Sequence, residues 1–168
     1  PGISSIDTSH LKEIDKLAMA LLAEPELSKV SHPGRPFSSV SSVGPNEVGA
    51  ALATLAAGSA ATMEIQTVAG RAMSFVSKDL STARIEVIFD GNPYTADSLD
   101  LIPRMRGLAI AGGAEMTWNP DVMLIGGQTA EVYDQRTAID RDTFLILPLI
   151  LLAIAIILGV LLRSLVAP

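Results

Sequence analysis

The stretch Thr143–Leu162, TFLILPLILLAIAIILGVLL, contains no charged residue over twenty positions. A helix rises about 1.5 Å per residue, so this stretch would span about 30 Å, which is the thickness of a bilayer's hydrocarbon core. Arg141 and Asp142 stand just before it, and Arg163 follows it. The sequence therefore predicts a transmembrane helix at 143–162, with 163–168 starting the cytoplasmic side.

Charge and composition narrow the classes of partner and cofactor. The 168-residue chain has a net charge of −6, and its 12 Lys and Arg form no basic stripe, which argues against nucleic acid. Cysteine is absent, so disulfides and thiolate metal sites are excluded. His10 and His32 have no carboxylate cluster at ligand spacing around them. We predict neither a metal site nor another cofactor.

The flanking charges also predict an orientation. Lys and Arg collect on the cytoplasmic side of membranes, so Arg163 favours a cytoplasmic far end, although Arg141 partly offsets it. We therefore expect the residues before Asp142 to be extracytoplasmic. The opening PGISSIDTSH lacks the basic and apolar regions of a signal peptide. We expect an upstream segment to deliver the domain, in a larger, multi-pass protein of the plasma membrane.

Periodicity predicts the elements of the first half. Capping residues from Asp7 onward precede apolar residues at helical spacing, which predicts an amphipathic helix that ends near Pro25. Leu27–Ser31 alternates and predicts a short strand, followed by a loop at 32–36. Residues 40–78 are rich in small side chains and predict a helical insert of two helices.

The second half predicts two strands around a helix. Ala83–Phe89 alternates as a strand with Ile85, Val87 and Phe89 on one face. Thr95 is expected to cap a helix to about Ala109, which Pro103 kinks and Ala111–Gly113 ends. Val122–Ile125 is apolar on both faces and predicts an internal strand.

A last helix is predicted from Gln128, continuous into the membrane. The element order indicates an α+β class with a ferredoxin-like subdomain whose first strand is missing from the chain. We predict a domain at 1–127, a connecting helix at 128–142 and the span at 143–162.

Several residues allow two interpretations. Pro148 would bend the span at the point of coupling, or would be a proline tolerated in a membrane helix, which we favour. Ala155 and Gly159 suit close helix packing. Asp134 and Asp142 are compatible with a proton role, but solvated interfacial charges are the favoured interpretation. The methionines are expected in the core or lining a lipid cleft: Met63, Met73, Met105, Met116 and Met123.

The stretch IGGQTAEVYDQRTAIDRDTFLILPLILLAIAIILGVLLRSLVAP at 125–168 resembles the MMPL family (mycobacterial membrane protein, large), a branch of the RND superfamily of exporters. Matching positions are Gly126, Gly127, Thr129, Ala130, Asp134, Arg141, Asp142, Leu147, Pro148 and Arg163 through Pro168. Upstream, Ile14–Ala18, Leu27–Val30, Lys78–Phe89 and Tyr94–Arg106 are similar to the family's porter helices and strands.

The resemblance implies a porter domain, the second by its wording, of a proton-driven transporter that exports lipids or other hydrophobic molecules. The implied partners are membrane lipids, a hydrophobic substrate, the remaining transmembrane helices and the other porter domain. It implies no enzyme activity. It makes Gly126, Gly127, Thr129, Asp134, Asp142, Pro148 and Arg163 candidates for coupling and packing. Proton-relay residues of the family lie on central helices that this chain does not include.

A second hypothesis belongs to another class: a single-span, membrane-anchored extracytoplasmic binding or sensor module. Further spans downstream would distinguish the two. A third, an enzyme of the cell envelope, has no supporting set of residues.

Overall fold

The computed structural model describes residues 7–39, 41–117 and 122–166, with the backbone alone for 163–166. The chain divides into two units, an N-terminal unit that ends at Ile125 and a C-terminal unit that begins at Gly126. The first unit contains α1 (Thr8–Leu22), β1 (Leu27–Ser31), α2 (Pro45–Ala56), α3 (Met63–Met73), β2 (Glu86–Phe89) and α4 (Ala96–Ala114). The second contains α5 (Gln128–Val166). The fold is α+β, as predicted.

Helix α1 begins where the sequence predicts it. The Asp7 carboxylate accepts hydrogen bonds from the backbone N–H groups of Ser9 and His10 at 2.9 and 3.0 Å, which satisfies two donors that the first turn leaves open. The buried side chains recur at helical spacing and line one broad face: Leu11, Ile14, Leu17, Ala18 and Leu21. This helix contributes to both apolar clusters of the N-terminal unit.

The first cluster, here called the helical cluster, joins α1 to the predicted insert. Its buried members are Leu11, Val48, Ala51, Val68, Ala69 and Ala72. Small side chains let the helices approach closely. A Cβ added at Gly49 would lie 2.1 Å from the Thr8 hydroxyl oxygen, so α2 can contact the start of α1 only with glycine there. The insert is therefore packed on α1.

The second cluster, here called the sheet cluster, joins α1 and α4 to the strands. β1 and β2 are antiparallel, with Val30 opposite Val87 and a register shift between Leu27 and Lys29. The buried members are Leu17, Leu21, Leu27, Leu101, Met105 and Met116. Ile85, Val87 and Phe89 pack against them from one side of β2, which confirms their predicted common face.

Helix α4 is longer than predicted. The Thr95 hydroxyl accepts from the Ser98 N–H and caps its start, as expected, and Pro103 lies inside a helix that continues past it. The glycines at 112 and 113 do not end the helix, which runs to Ala114. A Cβ at Gly112 would lie 2.5 Å from Leu17 Cδ1, so this glycine allows α4 to contact α1. Tertiary packing thus outweighs the helix-stop signal.

The internal strand predicted at Val122–Ile125 is not formed in this structure. The segment is assigned no strand, and among the described residues the sheet consists of β1 and β2. Met123 and Ile125 pack against the sheet cluster, whereas Val122 and Leu124 are 67% and 88% exposed. The segment keeps the in-and-out alternation of a strand without a partner for its backbone.

Helix α5 is continuous from Gln128 to Val166, as predicted, with Pro148 inside it. At about 1.5 Å per residue its 39 residues extend over about 58 Å. Of the described residues, Gln128–Leu162 form the one helix that is long and apolar enough to cross a membrane, and none of its most apolar window is buried.

Candidate functional site

The two predicted glycines form the turn before α5. Gly127 has a φ of 112°, a left-handed conformation that side-chain-bearing residues rarely adopt. Its carbonyl accepts the Glu131 N–H at 3.0 Å, the first bond of the helical ladder. Gly126 directly precedes this turn, and Thr129 lies in the first turn of α5. Glycine is thus required at 127 for a conformational reason.

The predicted carboxylates lie on α5 before its apolar stretch. Asp134 is exposed, two turns after the helix starts. Asp142 Oδ1 lies 3.4 Å from Arg141 Nη2, and the side chains are 55% and 75% exposed. Exposed pairs of this kind contribute little to stability, about 0–1 kcal/mol. The geometry agrees with solvated charges at the end of an apolar segment.

The apolar stretch itself carries no charged side chain between Thr143 and Leu162. Pro148 lies in its first third, and its ring removes the N–H that would bond the carbonyl of Phe144. The backbone of Arg163 continues α5, while Ala167 and Pro168 lie outside the described residues.

The predicted site residues therefore do not converge on a pocket. Gly126 and Arg163 are separated by about 55 Å along a helical path, at the usual rise per residue. Such an arrangement can span, pack and transmit movement, but it does not bring reactive groups together.

A cluster that the sequence reasoning missed lies in the N-terminal unit. Asp15 on α1 accepts hydrogen bonds from two residues of the loop after β1. Its Oδ1 lies 3.1 Å from His32 Nε2 and 2.6 Å from Arg35 Nε, and its Oδ2 lies 3.3 Å from Arg35 Nη2. His32 is 1% exposed. The loop segment His-Pro-Gly-Arg-Pro is thereby fastened to α1.

One signal for this cluster was present in the sequence. Asp15 follows Leu11 by four positions and precedes Ala18 by three, so it shares their buried face. A carboxylate on a buried face needs a partner, because an unpaired buried charge is costly. The sequence around Asp15 does not show that its cationic partner is Arg35, because that residue lies twenty positions later.

A shallow groove lies between α1 and the end of α4, with a cavity of about 180 Å³. Three of its lining residues, Glu13, Lys16 and Glu115, make polar contacts between the two segments. Lys16 Nζ lies 2.7 Å from Glu115 Oε2, a bond that raises the pKa of Lys16 and lowers that of Glu115. Glu13 accepts from both the backbone N–H and the hydroxyl of Thr117, at 3.0 and 2.7 Å.

The methionines do not share one cleft. Met105 and Met116 are buried in the sheet cluster and Met123 packs against it. Met63 and Met73 lie on α3 and are 83% and 39% exposed. Met105, Met116 and Met123 therefore belong to the core rather than to a cleft.

Comparison with known proteins gives a family. The family model described as the MMPL family matches residues 14–168, which is most of the chain. No solved structure matches.

Three curated relatives agree with this match. A membrane protein of Streptomyces coelicolor, SCO5905, is 39% identical over 93 residues, which cover 55% of this chain and 11% of the relative. The apo-petrobactin exporter of Bacillus anthracis is 37% identical over 84 residues, 49% of this chain and 11% of that protein. The transport protein MmpL10 of Mycobacterium leprae is 30% identical over 95 residues, 56% of this chain and 9% of that protein.

The matches span about a tenth of the length of these relatives. The family match and the apolar α5 agree with the resemblance seen in the segment from Ile125 onward. On this evidence the chain belongs to the MMPL family of membrane proteins.

Proposed function

We propose that this chain is part of a proton-driven RND/MMPL-type transporter that exports lipids or other hydrophobic molecules. The N-terminal unit, with the Gly126–Gly127 turn, is an extracytoplasmic porter domain that passes substrate. Residues 128–142 form a connecting helix and 143–162 form one span of a multi-pass protein in the plasma membrane. The membrane lipids, the other spans and a second porter domain are its partners, and it catalyses no covalent reaction.

The observation that carries this proposal is the unbroken helix α5. It begins directly after the Gly126–Gly127 turn and continues through the whole apolar stretch. A tethered binding module needs an apolar anchor, but it does not need the helical residues 128–142 that precede it. The family match supports the transport assignment, as do two relatives, one named as an exporter and one as a transport protein.

The porter domain is ferredoxin-like in this proposal. α1 with β1, and β2 with α4 and Val122–Ile125, supply two helix–strand units over one apolar cluster. A further strand, contributed by the full-length protein, pairs with β2 and with Val122–Ile125. The alternation of inward Met123 and Ile125 with outward Val122 and Leu124 supports a place at the sheet for this segment.

Hydrogen exchange on the full-length protein tests this fold. If a strand pairs with Val122–Ile125, the amides of this segment exchange slowly. The amide of Ala60, in the exposed connection between α2 and α3, serves as the fast-exchanging control. Fast exchange throughout Val122–Ile125 would reject the added strand.

Single-cysteine labelling tests the orientation, and the chain contributes no cysteine of its own to the background. Ser59→Cys lies in the exposed connection between α2 and α3, and Ser164→Cys lies beyond the apolar stretch. A membrane-impermeant maleimide added to intact cells should label the first variant and not the second. The reverse pattern would place the N-terminal unit in the cytoplasm.

Transport is tested with the full-length protein in proteoliposomes that contain a fluorescent lipid. Movement of the lipid that requires a pH gradient and stops on adding a protonophore is the expected result. The matched control is the same protein without a gradient. Binding of the lipid without gradient-dependent movement, in a chain with one span, would favour the tethered binding module instead.

A further inference from the structure

The chain contains two histidines, and they lie in opposite surroundings. The side chain of His10 is 22% exposed and lies on the first turn of α1, beside the Asp7 cap. His32 is 1% exposed and lies in the loop between β1 and α2, with Pro33 and Pro36 fully buried on either side of Gly34 and Arg35. The buried His32 links the loop after β1 to α1 through Asp15, together with Arg35.

The hydrogen bonds of His32 define its tautomer. The Gly34 N–H can only donate, and it lies 3.2 Å from Nδ1, so Nδ1 is the unprotonated acceptor. The proton is then on Nε2, which donates to Asp15 Oδ1 at 3.1 Å. Both ring nitrogens are satisfied in the neutral form. A second proton on Nδ1 would face the Gly34 N–H and break that bond.

Space around the ring is too tight to absorb this change. A Cβ at Gly34 would lie 3.0 Å from the Leu11 carbonyl oxygen and 3.1 Å from His32 Cε1. The Arg35 N–H also bonds the His32 carbonyl at 2.9 Å. Gly34 is therefore closely packed between α1 and the His32 ring, and moving its N–H away from Nδ1 would disturb these contacts.

Three charged groups face this site from the neighbouring elements. Asp15 comes from α1 and favours a charged His32, Arg35 comes from the loop and opposes it, and Glu47 of α2 attracts Arg35. Burial outweighs the attraction to Asp15, so the pKa of His32 is lowered from its ordinary value. The hydrogen bond with Asp15 raises the pKa of Arg35, which remains a cation.

The loop also leads directly into the start of α2. Glu47 accepts the Gly44 N–H at 2.9 Å, which caps α2 just after the loop. The hydrogen bond between Arg35 and Asp15, together with the electrostatic attraction between Arg35 and Glu47, thus links α1 through the loop to the helical insert.

We propose that residues 32–38 and the start of α2 form an acid-released latch, held closed on α1 by neutral His32 and opened when that histidine binds a proton. The latch belongs to the N-terminal unit by itself and does not depend on the transport function. Its sign follows from linkage: a state in which His32 is exposed binds more protons than the closed state below the ordinary pKa of histidine. Acid therefore favours opening, and stability of the closed latch is regained as the pH rises.

The size of the effect has an upper limit. With an ordinary histidine pKa of about 6.5 in the open state and no proton bound in the closed state, lowering the pH from 8 to 5 raises the open-to-closed ratio by up to about thirtyfold. Any proton binding in the closed state makes the factor smaller.

Hydrogen exchange of the complete chain in detergent micelles measures this ratio, after correction for the pH dependence of chemical exchange. We expect the hydrogen-bonded amides of Gly34, Arg35 and Ser38 in the loop and of Val48 in α2 to show increased opening at pH 5 in the wild type and in His10→Gln. The increase should be absent in His32→Gln, which keeps a donor and does not titrate. Equal pH dependence in all three proteins would overturn the proposal.

Histidine ring NMR on the wild-type chain provides a test that needs no variant. Two ring signals are expected, with His32 in the Nε2–H tautomer and with a pKa below the ordinary value for histidine. A His32 pKa at or above that ordinary value, or a ring with its proton on Nδ1, would reject the latch even if His32→Gln does not fold.

Discussion

Many large apolar side chains of the N-terminal unit are buried, whereas those of the apolar stretch of α5 are exposed. In the N-terminal unit the large aliphatic side chains form two clusters, and Leu11 and Val48 are 0% exposed. In α5 every large apolar side chain from Phe144 to Leu162 is at least 47% exposed. The first unit excludes water by its own packing, whereas α5 leaves its apolar side chains exposed, as suits a helix that lipid or other helices surround. Burial inside the unit therefore stabilises one region, and the other requires an apolar environment from outside this chain.

The largest expected effect tests the packed side of this comparison. Leu11→Ala removes a side chain that is fully enclosed in the helical cluster and leaves a cavity between α1, α2 and α3. We expect a loss of about 2–5 kcal/mol in the free energy of unfolding of the N-terminal unit, measured by urea denaturation. Met63→Ala, at an 83% exposed position, is the control and should change it by less than about 0.5 kcal/mol. Similar losses for both would contradict the described core.

A charge introduced into the apolar stretch tests the second region of this comparison, helix α5. Ile154→Asp should disfavour membrane insertion by about 2.5–3.5 kcal/mol, because hydrocarbon does not solvate a carboxylate. The measurement is the fraction of an α5 segment that inserts in a glycosylation-mapping assay. Ile139→Asp, on the same helix and 65% exposed before the stretch, should insert like the wild type. Equal insertion of both variants would mean that α5 does not cross the bilayer at 143–162.

Two glycines of α4 give a smaller effect with opposite signs. Gly107→Ala should stabilise the N-terminal unit by about 0.5–1 kcal/mol, because no atom lies within 4 Å of the new Cβ. Gly112→Ala should destabilise it by about 1 kcal/mol, because the Cβ would meet Leu17 inside the sheet cluster. Thermal unfolding of the two variants side by side measures the difference. Stabilisation by both would show that α1 and α4 are not in close contact.

The smallest effect is expected at Pro148. Pro148→Ala restores a helical N–H without adding charge or bulk, so insertion of α5 should not change. Transport by the full-length protein should also stay near the wild-type rate if the proline is merely tolerated. A marked loss of transport with normal insertion would instead assign Pro148 a role in coupling.

The same contrast separates what sequence reasoning could predict from what it could not. Asp7 and the spacing of Leu11 to Leu21 define α1 locally, and the absence of charge from Thr143 onward defines the apolar stretch of α5. Both patterns lie within a few helical turns. They were predicted because each residue's environment is set by near neighbours or by solvent.

The errors and omissions involve partners distant in sequence. Four consecutive apolar residues at Val122–Ile125 predicted a buried strand, but a strand also needs a hydrogen-bonding neighbour. The glycines of α4 resembled a stop because their contact with Leu17 comes from another helix. The cluster of Asp15, His32 and Arg35 was missed for the same reason. The coupling candidates from Thr129 to Arg163 lie on one continuous helix, as the sequence predicted. Their roles in coupling stay predictions.

Helix α5 is expected to bend most easily at one position, around Pro148. Its axial hydrogen bonds resist bending and twisting along the described length, except where Pro148 leaves the carbonyl of Phe144 without its helical donor. Any bend of this helix is therefore accommodated most easily in the first turns of the apolar stretch, where one helical hydrogen bond is missing.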